Sequence, residues 1–258
     1  MIFMTDLETY YNKFNEDHRL TTRHGRVEFS TTMKYIHAYL PQGSARILDI
    51  GAGTGAYSVP LSQEGHSVTA VELVPRNLKV LESKHSAVNC WPGDARDLHF
   101  LEDSSFDMTL LFGPMYHLHT REDQVKALGE AMRVTKKGGV ILVAYVMNEY
   151  SIIQYCFKKN MISECVEKQW VTEDFHTVPS EDQLYTYVRL EDINEINGAV
   201  AAERIKIIAA DGPSDYMRRE LNAMDEGTFE LFIKYHQATC ERPELLGASS
   251  HLVDILRR

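Results

Sequence analysis

One string constrains this chain more than any other: Leu48-Asp49-Ile50-Gly51-Ala52-Gly53-Thr54-Gly55-Ala56-Tyr57. Arg46–Ile50 is a short apolar run of strand type, closely spaced glycines follow it, and residues 56–64 form an amphipathic stretch stopped by Gly65. A strand that passes through glycines straight into a helix lets a ligand approach the backbone at the helix N-terminus. The alternation continues downstream. Residues 68–71 form a second β-branched run ending at Glu72, Pro75–Ser83 reads as helix, and residues 87–91 form a weak third strand. Residues 106–112 (FDMTLLF) make a fourth strand, closed by Gly113 and Pro114. The string TRED at 120–123 has capping-box form, and Val125, Leu128 and Met132 then recur at helical spacing. Lys136, Lys137, Gly138 and Gly139 are expected to end that helix, with cations near its carbonyl end and a C-cap glycine. Residues 140–146 are continuously apolar, as in a strand covered on both faces. Strands alternating with helices predict parallel pairing, right-handed crossovers and a three-layer α/β sandwich.

The flanks divide the remaining length. Before the alternation, residues 1–44 read as a helical cover, with Phe29, Met33, Ile36, Tyr39 and Leu40 as an apolar stripe ended by Pro41. After it, residues 147–203 break the pattern and read as a lid inserted into one domain, carrying Tyr150, Tyr155, Phe157, Trp170, Phe175, Tyr185 and Tyr187. Strand signals resume at residues 204–209 and 250–256, with helical stretches at 214–223 and 228–240 between them. The expected partition is thus a single domain over 258 residues: cover 1–44, ligand-binding core 45–146, lid 147–203 and closing elements 204–258.

Charge narrows the choice of partner. The chain has 27 basic and 37 acidic residues, a net of −10, and residues 147–200 alone hold 4 basic and 10 acidic. An acidic surface repels phosphate backbones, so nucleic acid is disfavoured and a small-molecule partner expected. Cys90, Cys156, Cys165 and Cys240 are scattered without a CxxC, which fits a reducing compartment and no zinc site. No apolar run reaches the ~20 residues of a membrane helix, and no secretory leader is visible, so a cytoplasmic location is expected.

Gly51, Gly53 and Ala56 satisfy G-x-G-x-x-A, and Glu72, at the end of the second strand, offers a carboxylate for vicinal ribose hydroxyls. NAD and S-adenosylmethionine both meet that description. Three details favour the sulfonium cofactor. Asp49 would be repelled by a pyrophosphate but suits a cationic amino-acid moiety. Gly55 adds a glycine that the NAD pattern does not ask for. Asp94, in Gly93-Asp94-Ala95 after the third strand, could accept from an adenine amino group; an aspartate in such a turn also often only caps it.

In this order, ILDIGAGTG, Val71-Glu72, Gly93-Asp94-Ala95, FDMTLLFGPMYHL and KKGGVILVAYV, the chain resembles the class I S-adenosylmethionine-dependent methyltransferases over roughly residues 45–146. The string GPMYHLHTREDQVKALGEAMRVTKKGGV is similar to a group of bacterial small methyltransferases of unassigned substrate. The resemblance implies a Rossmann-like sandwich whose seven-stranded, mostly parallel sheet has a reversed last strand. It also implies a cofactor loop of Asp49, Gly51, Ala52, Gly53 and Gly55, with Glu72 on the ribose and Leu73 packed on the adenine. Asp94 and Ala95 would meet the adenine edge, Phe112 and Gly113 the methionine moiety, and Arg23 the cofactor carboxylate. Methyl transfer is an in-line displacement, so alignment supplies much of the rate and a base is needed only for a protonated nucleophile.

His117, just after the fourth strand, is a candidate base or substrate-orienting group; packing, or capping of the helix at Thr120, accounts for it equally well. His117 and His119 lie two apart with no carboxylate or cysteine cluster beside them, so no metal site is expected. The functional expectation is methyl transfer from S-adenosylmethionine to a small-molecule acceptor. The alternatives are an RNA or protein methyltransferase, an NAD-dependent oxidoreductase, and a non-catalytic adenosine-ligand sensor.

Overall fold

A computed structural model describes residues 16–180 and 183–258. A two-turn 3-10 segment, Glu16–Thr21, leads into helix α1, Arg23–Tyr39, whose Thr22 side chain accepts the Gly25 N–H as N-cap. The core then runs β1 (Arg46–Ile50), α2 (Ser58–Gln63), β2 (Ser67–Glu72), α3 (Pro75–Ser83), β3 (Asn89–Pro92) and β4 (Phe106–Leu111). It continues with α4 (Arg121–Val134) and β5 (Thr135–Val146), and after an insertion with α7 (Leu190–Ala199) and β6 (Glu203–Ala209). The insertion contains α5 (Asn148–Ser151), a π-type turn (Ile152–Phe157) and α6 (Ile162–Glu167). The closing elements are α8 (Arg218–Ala223), α9 (Glu226–Thr239), α10 (Pro243–Leu246) and β7 (His251–Arg257).

The seven strands form one sheet in the order β3-β2-β1-β4-β5-β7-β6. All pairs from β3 to β5 are parallel, and β7 runs antiparallel to both β5 and β6. The expected Rossmann-like sheet with a reversed last strand is therefore present. The expected strand over 106–112 ends at Leu111, and that over 87–91 begins at Asn89. The central strands are apolar on both faces, with Ile47, Leu48, Leu110, Leu111, Ile141, Leu142 and Val143 all fully buried. Each such aliphatic side chain withdrawn from water contributes about 1.5–3 kcal/mol.

One boundary departs from expectation. The helix over 121–134 does not run to Gly139; it stops at Thr135, which takes extended backbone and donates its hydroxyl to Ala131 O at 2.7 Å. Lys136 to Gly139 instead form the start of β5, where the register against β4 slips. A Cβ on Gly139 would stand 2.8 Å from the Asp107 carbonyl oxygen, so glycine here serves a close strand approach rather than a helix cap.

α1 packs through Met33, Tyr35 and Ile36 onto the main core, and through Val27 onto Leu221, Phe229 and Ile233 of α8 and α9. The part of the expected cover at 1–15 lies outside the described residues. In the insertion, Ile152, Cys156, Cys165 and Val171 form a separate small core. Residues 190–199 supply Ile193 and Ile196 to the main core, so α7 belongs to a layer of the sandwich. Among the described residues, no helix is long and apolar enough to cross a membrane.

Candidate functional site

A cleft of about 320 Å³ opens at the carboxyl ends of β1 to β4, and all its lining residues fall between Arg19 and Asp123. This is where open α/β sheets take ligands, because the strand order reverses direction at the centre. β1 is the switch point here: β2 and β3 lie on one side of it and β4 on the other.

The glycine turn is shaped by close backbone approach. Gly51 has φ +77°, its N–H donates to Val71 O at 2.8 Å, and a Cβ there would stand 2.8 Å from Phe112 O. Gly53 (φ +56°) donates its N–H to Glu72 Oε2 at 2.7 Å, while Val74 N–H donates to Oε1 at 2.7 Å. Glu72 is thus buried and held by two backbone donors at the cleft. Gly55 does not line the cleft. Its φ is +87° and a Cβ would collide with Leu81 Cδ1, so helix packing requires the glycine.

Asp49 is 1% exposed and lines the cleft. Ser58 donates its hydroxyl to Oδ2 at 2.6 Å, and Oδ1 is buried without a hydrogen-bond partner. Burial raises its pKa to about 7, against the Ser58 hydrogen bond and with the help of the Glu72 charge. A buried acceptor left without a donor is costly unless a ligand supplies one. A donor or a positive charge beside Asp49 would complete its hydrogen bonding, whereas a pyrophosphate there would be repelled.

Leu73 is 49% exposed at the cleft, and Ala52, Ala95, Phe112 and Gly113 also line it. Asp94 is there too, gripped by Arg96, whose Nη2 donates to Oδ2 at 2.6 Å while its Nε donates to both carboxylate oxygens at 3.1 Å. Burial alone would raise the Asp94 pKa, but these hydrogen bonds outweigh it and the carboxyl is held below its usual range. His117 lines the cleft with Nδ1–H donating to Leu184 O at 2.9 Å. Burial lowers its pKa to about 4, opposed by the Leu184 hydrogen bond, so at neutral pH it is an uncharged imidazole and a weak base.

Arg23 requires correction. It lies outside the cleft, donates from Nη2 to Glu226 at 3.2 Å and stacks over Phe229 at 4.7 Å from the ring centre. Helix α1 turns that position toward α9; from this N-terminal region it is Arg19, four residues earlier in the 3-10 segment, that lines the cleft. Sequence reasoning also missed Tyr57, Asn77, Arg96 and Tyr116 in the lining. For Arg96 a local signal exists, since Asp94 and Arg96 are two apart in a turn. Tyr57 gives none beyond its place after the glycines.

Among the described residues, one set with metal-ligand reach occurs, Glu28, Asp211 and His251. Asp211 is already surrounded by donors: Ser249 and Ser250 hydroxyls, the N–H groups of Ser250 and His251, and His251 Nδ1. Those donors occupy the lone pairs that a cation would need.

The seven-stranded sheet, with this cleft at its carboxyl edge, has the fold of solved S-adenosylmethionine-dependent methyltransferases. Residues 48–143 match the family model described as a methyltransferase domain. The chain is 37% identical over 99 residues to a demethylmenaquinone methyltransferase of Renibacterium salmoninarum, covering 38% of this chain and 40% of that protein. It is 32% identical over 108 residues to a cypemycin N-terminal methyltransferase of a Streptomyces species, covering 41% and 43%. The chain thus spans about two fifths of the length of these curated relatives. A SAM-dependent methyltransferase structure from Archaeoglobus fulgidus superposes with a TM-score of 0.57 at 19% identity, over 89% of this chain and 92% of that one.

Proposed function

We propose that this chain is an enzyme that transfers a methyl group from S-adenosylmethionine to a small-molecule acceptor in the cytoplasm. The observation that carries the reading is Asp49: a fully buried carboxylate with one oxygen unpartnered, set beside Glu72 on the adjacent strand. When bound, S-adenosylmethionine supplies a methyl group activated by a sulfonium. Asp49 would meet the ammonium of its amino-acid end, and Glu72 would accept from the ribose hydroxyls. Leu73 offers an apolar face for the base, and Ala95 with the Asp94–Arg96 pair forms the wall that its edge would meet. Phe112 and Gly113, directly after β4, flank the methionine end. His117, neutral and anchored on Leu184, orients the acceptor rather than taking a proton from it.

One stretch of the insertion packs against the segment after β4. Thr186 N–H donates to Tyr116 O at 2.8 Å, and His119 Nδ1 pairs with Thr186 Oγ1 at 3.0 Å, so residues 184–186 return against the segment that follows β4. A roof at that place excludes water and holds the acceptor in line. The net charge of −10 and the acidic insertion favour a small acceptor over a nucleic acid. Four unpaired cysteines accord with a reducing compartment.

Calorimetric and thermal-shift titration with S-adenosylmethionine, S-adenosylhomocysteine and NAD tests the cofactor half of this reading. Stabilisation by the first two is expected, and stabilisation by NAD alone would overturn it. Transfer of labelled methyl to members of an acceptor panel separates an enzyme from a sensor that only binds.

A further inference from the structure

Arg19, Tyr57, Phe112 and Tyr116 line both the cleft and a second, much smaller chamber of about 20 Å³. A space of this size holds one water-sized group. Its polar walls come from parts of the chain far apart in sequence: Glu28 from α1 and His251 from the start of β7. Thr32, Ala144, Ala210 and Val253 close the rest.

The two polar walls carry opposite charge. His251 Nδ1–H donates to Asp211 Oδ2 at 2.8 Å, and Glu28 Oε2 stands 3.8 Å from the same nitrogen. Two carboxylates about one imidazole favour the imidazolium. Burial opposes them, yet the Glu28 and Asp211 charges push the pKa up to about 9. With Nδ1 committed to Asp211, the donor left to His251 is Nε2–H. Glu28 accepts from Arg19 Nη1 at 2.7 Å, and a carboxylate has further lone pairs to offer.

We propose that this chamber seats the nucleophilic hydroxyl of the methyl acceptor, which donates to Glu28 and accepts from His251. The proposal rests on the methyltransferase reading for the role of that hydroxyl. A hydroxyl, like the water it would displace, satisfies a carboxylate and an imidazolium together. An ammonium has no acceptor to offer His251 and would be repelled by it and by Arg19. A carboxylate exceeds the volume and would face Glu28. The shared wall of Tyr57, Phe112 and Tyr116 gives an aryl group ring faces to pack on, with Tyr57 and Phe112 already edge-on at 5.1 Å. On ionisation the O–H bond breaks and the proton goes to a Glu28 carboxylate oxygen. The electron pair stays on the acceptor oxygen, where the His251 N–H steadies it. Asp211 touches no acceptor; it is a positioning residue that holds the imidazole ring and its charge.

The test uses two probes of equal size, benzyl alcohol and benzylamine, titrated by calorimetry into the protein saturated with S-adenosylhomocysteine at neutral pH. Benzyl alcohol should bind at least about tenfold more tightly, since a like charge at a desolvated site costs more than 1.4 kcal/mol. Glu28→Gln and His251→Gln should each weaken benzyl alcohol about tenfold while S-adenosylhomocysteine binds as before. His251→Gln should also narrow the preference for the alcohol over the amine, which loss of packing alone would not do. Glu28→Gln lies outside the Asp211 hydrogen bonds and carries the test if His251→Gln melts early in circular dichroism. Equal or tighter binding of the amine, no binding of either probe, or unchanged affinities in a folded variant would overturn the proposal. Failure of S-adenosylhomocysteine itself to bind would strike the cofactor reading instead.

Discussion

Two aspartates, Asp49 after the middle of β1 and Asp211 just beyond β6, are equally hidden and opposite in every other respect. They are 1% and 3% exposed. Asp49 receives one hydroxyl and keeps an oxygen without a partner, and burial drives its pKa up to about 7. Asp211 receives two hydroxyls, two backbone N–H groups and an imidazolium, which overcome burial and hold its pKa well below the usual carboxylate range. Burial alone therefore says nothing about function. A carboxylate whose partners are complete is a fastening; one whose partners are incomplete marks where a ligand completes the protein.

The largest expected effect falls on the fastening. Asp211→Ala leaves His251 charged and two serines without their acceptor, and should cost about 3–5 kcal/mol in denaturant unfolding. Asp49→Asn should do the reverse. Its stability should stay within about 1 kcal/mol of the parent, because the amide removes a charge that the fold does not compensate. Affinity for S-adenosylmethionine should fall about 10–100-fold in calorimetry, the worth of a charge-assisted hydrogen bond. If Asp49→Asn unfolds the protein while leaving cofactor affinity intact, the contrast between the two aspartates is wrong.

pH provides a finer separation. The folded pKa of Asp49, about 7, lies above its ordinary value of 3.8, so the folded state holds a proton that the unfolded state has lost. Stability of the free protein should thus decline as pH rises from about 4 to about 7. A cationic ligand beside Asp49 draws that proton off, so its affinity should rise up to about tenfold per pH unit as pH climbs toward 7, with proton release measurable in buffers of different ionisation enthalpy. His251 works at higher pH. Its folded pKa of about 9 lies above 6.5, so its stabilisation is complete below pH 6.5 and is lost as pH rises through 9. Melting temperature against pH should show the first limb disappear in Asp49→Asn and the second persist. Smallest of all is Arg23→Ala, whose partly exposed pair with Glu226 is worth below about 1 kcal/mol and whose loss should leave cofactor affinity unchanged.

What the sequence disclosed divides along the same line. The cleft was legible because its determinants are local: glycines directly after a strand, Glu72 at the end of the next, Phe112 and Gly113 at the end of another. Strand periodicity and turn chemistry reach that far. Arg23 misled because a residue's charge and position do not say which way a helix faces, and α1 is oriented by Val27 packing on Leu221 and Phe229. Lys136 to Gly139 misled because cation and glycine spacing fits a helix end and a strand bulge alike; Thr135 settles it by leaving helical backbone first. Glu28, Asp211 and His251 carry no shared signal at all, since tertiary packing alone brings residues 183 and 223 positions apart to within hydrogen-bond reach of one centre.

The strand order adds a matter of timing. β7 is made after β6 yet lies between β5 and β6, so the sheet must admit its last-made strand into an interior position. Long-range pairing of this kind is slow to form. The cleft is lined only by residues between Arg19 and Asp123, whereas the lining of the small chamber waits for His251 on that late strand. A polypeptide emerging from the ribosome would accordingly hold every residue that lines the cleft well before those that line the chamber, whose completion is gated by the insertion of β7.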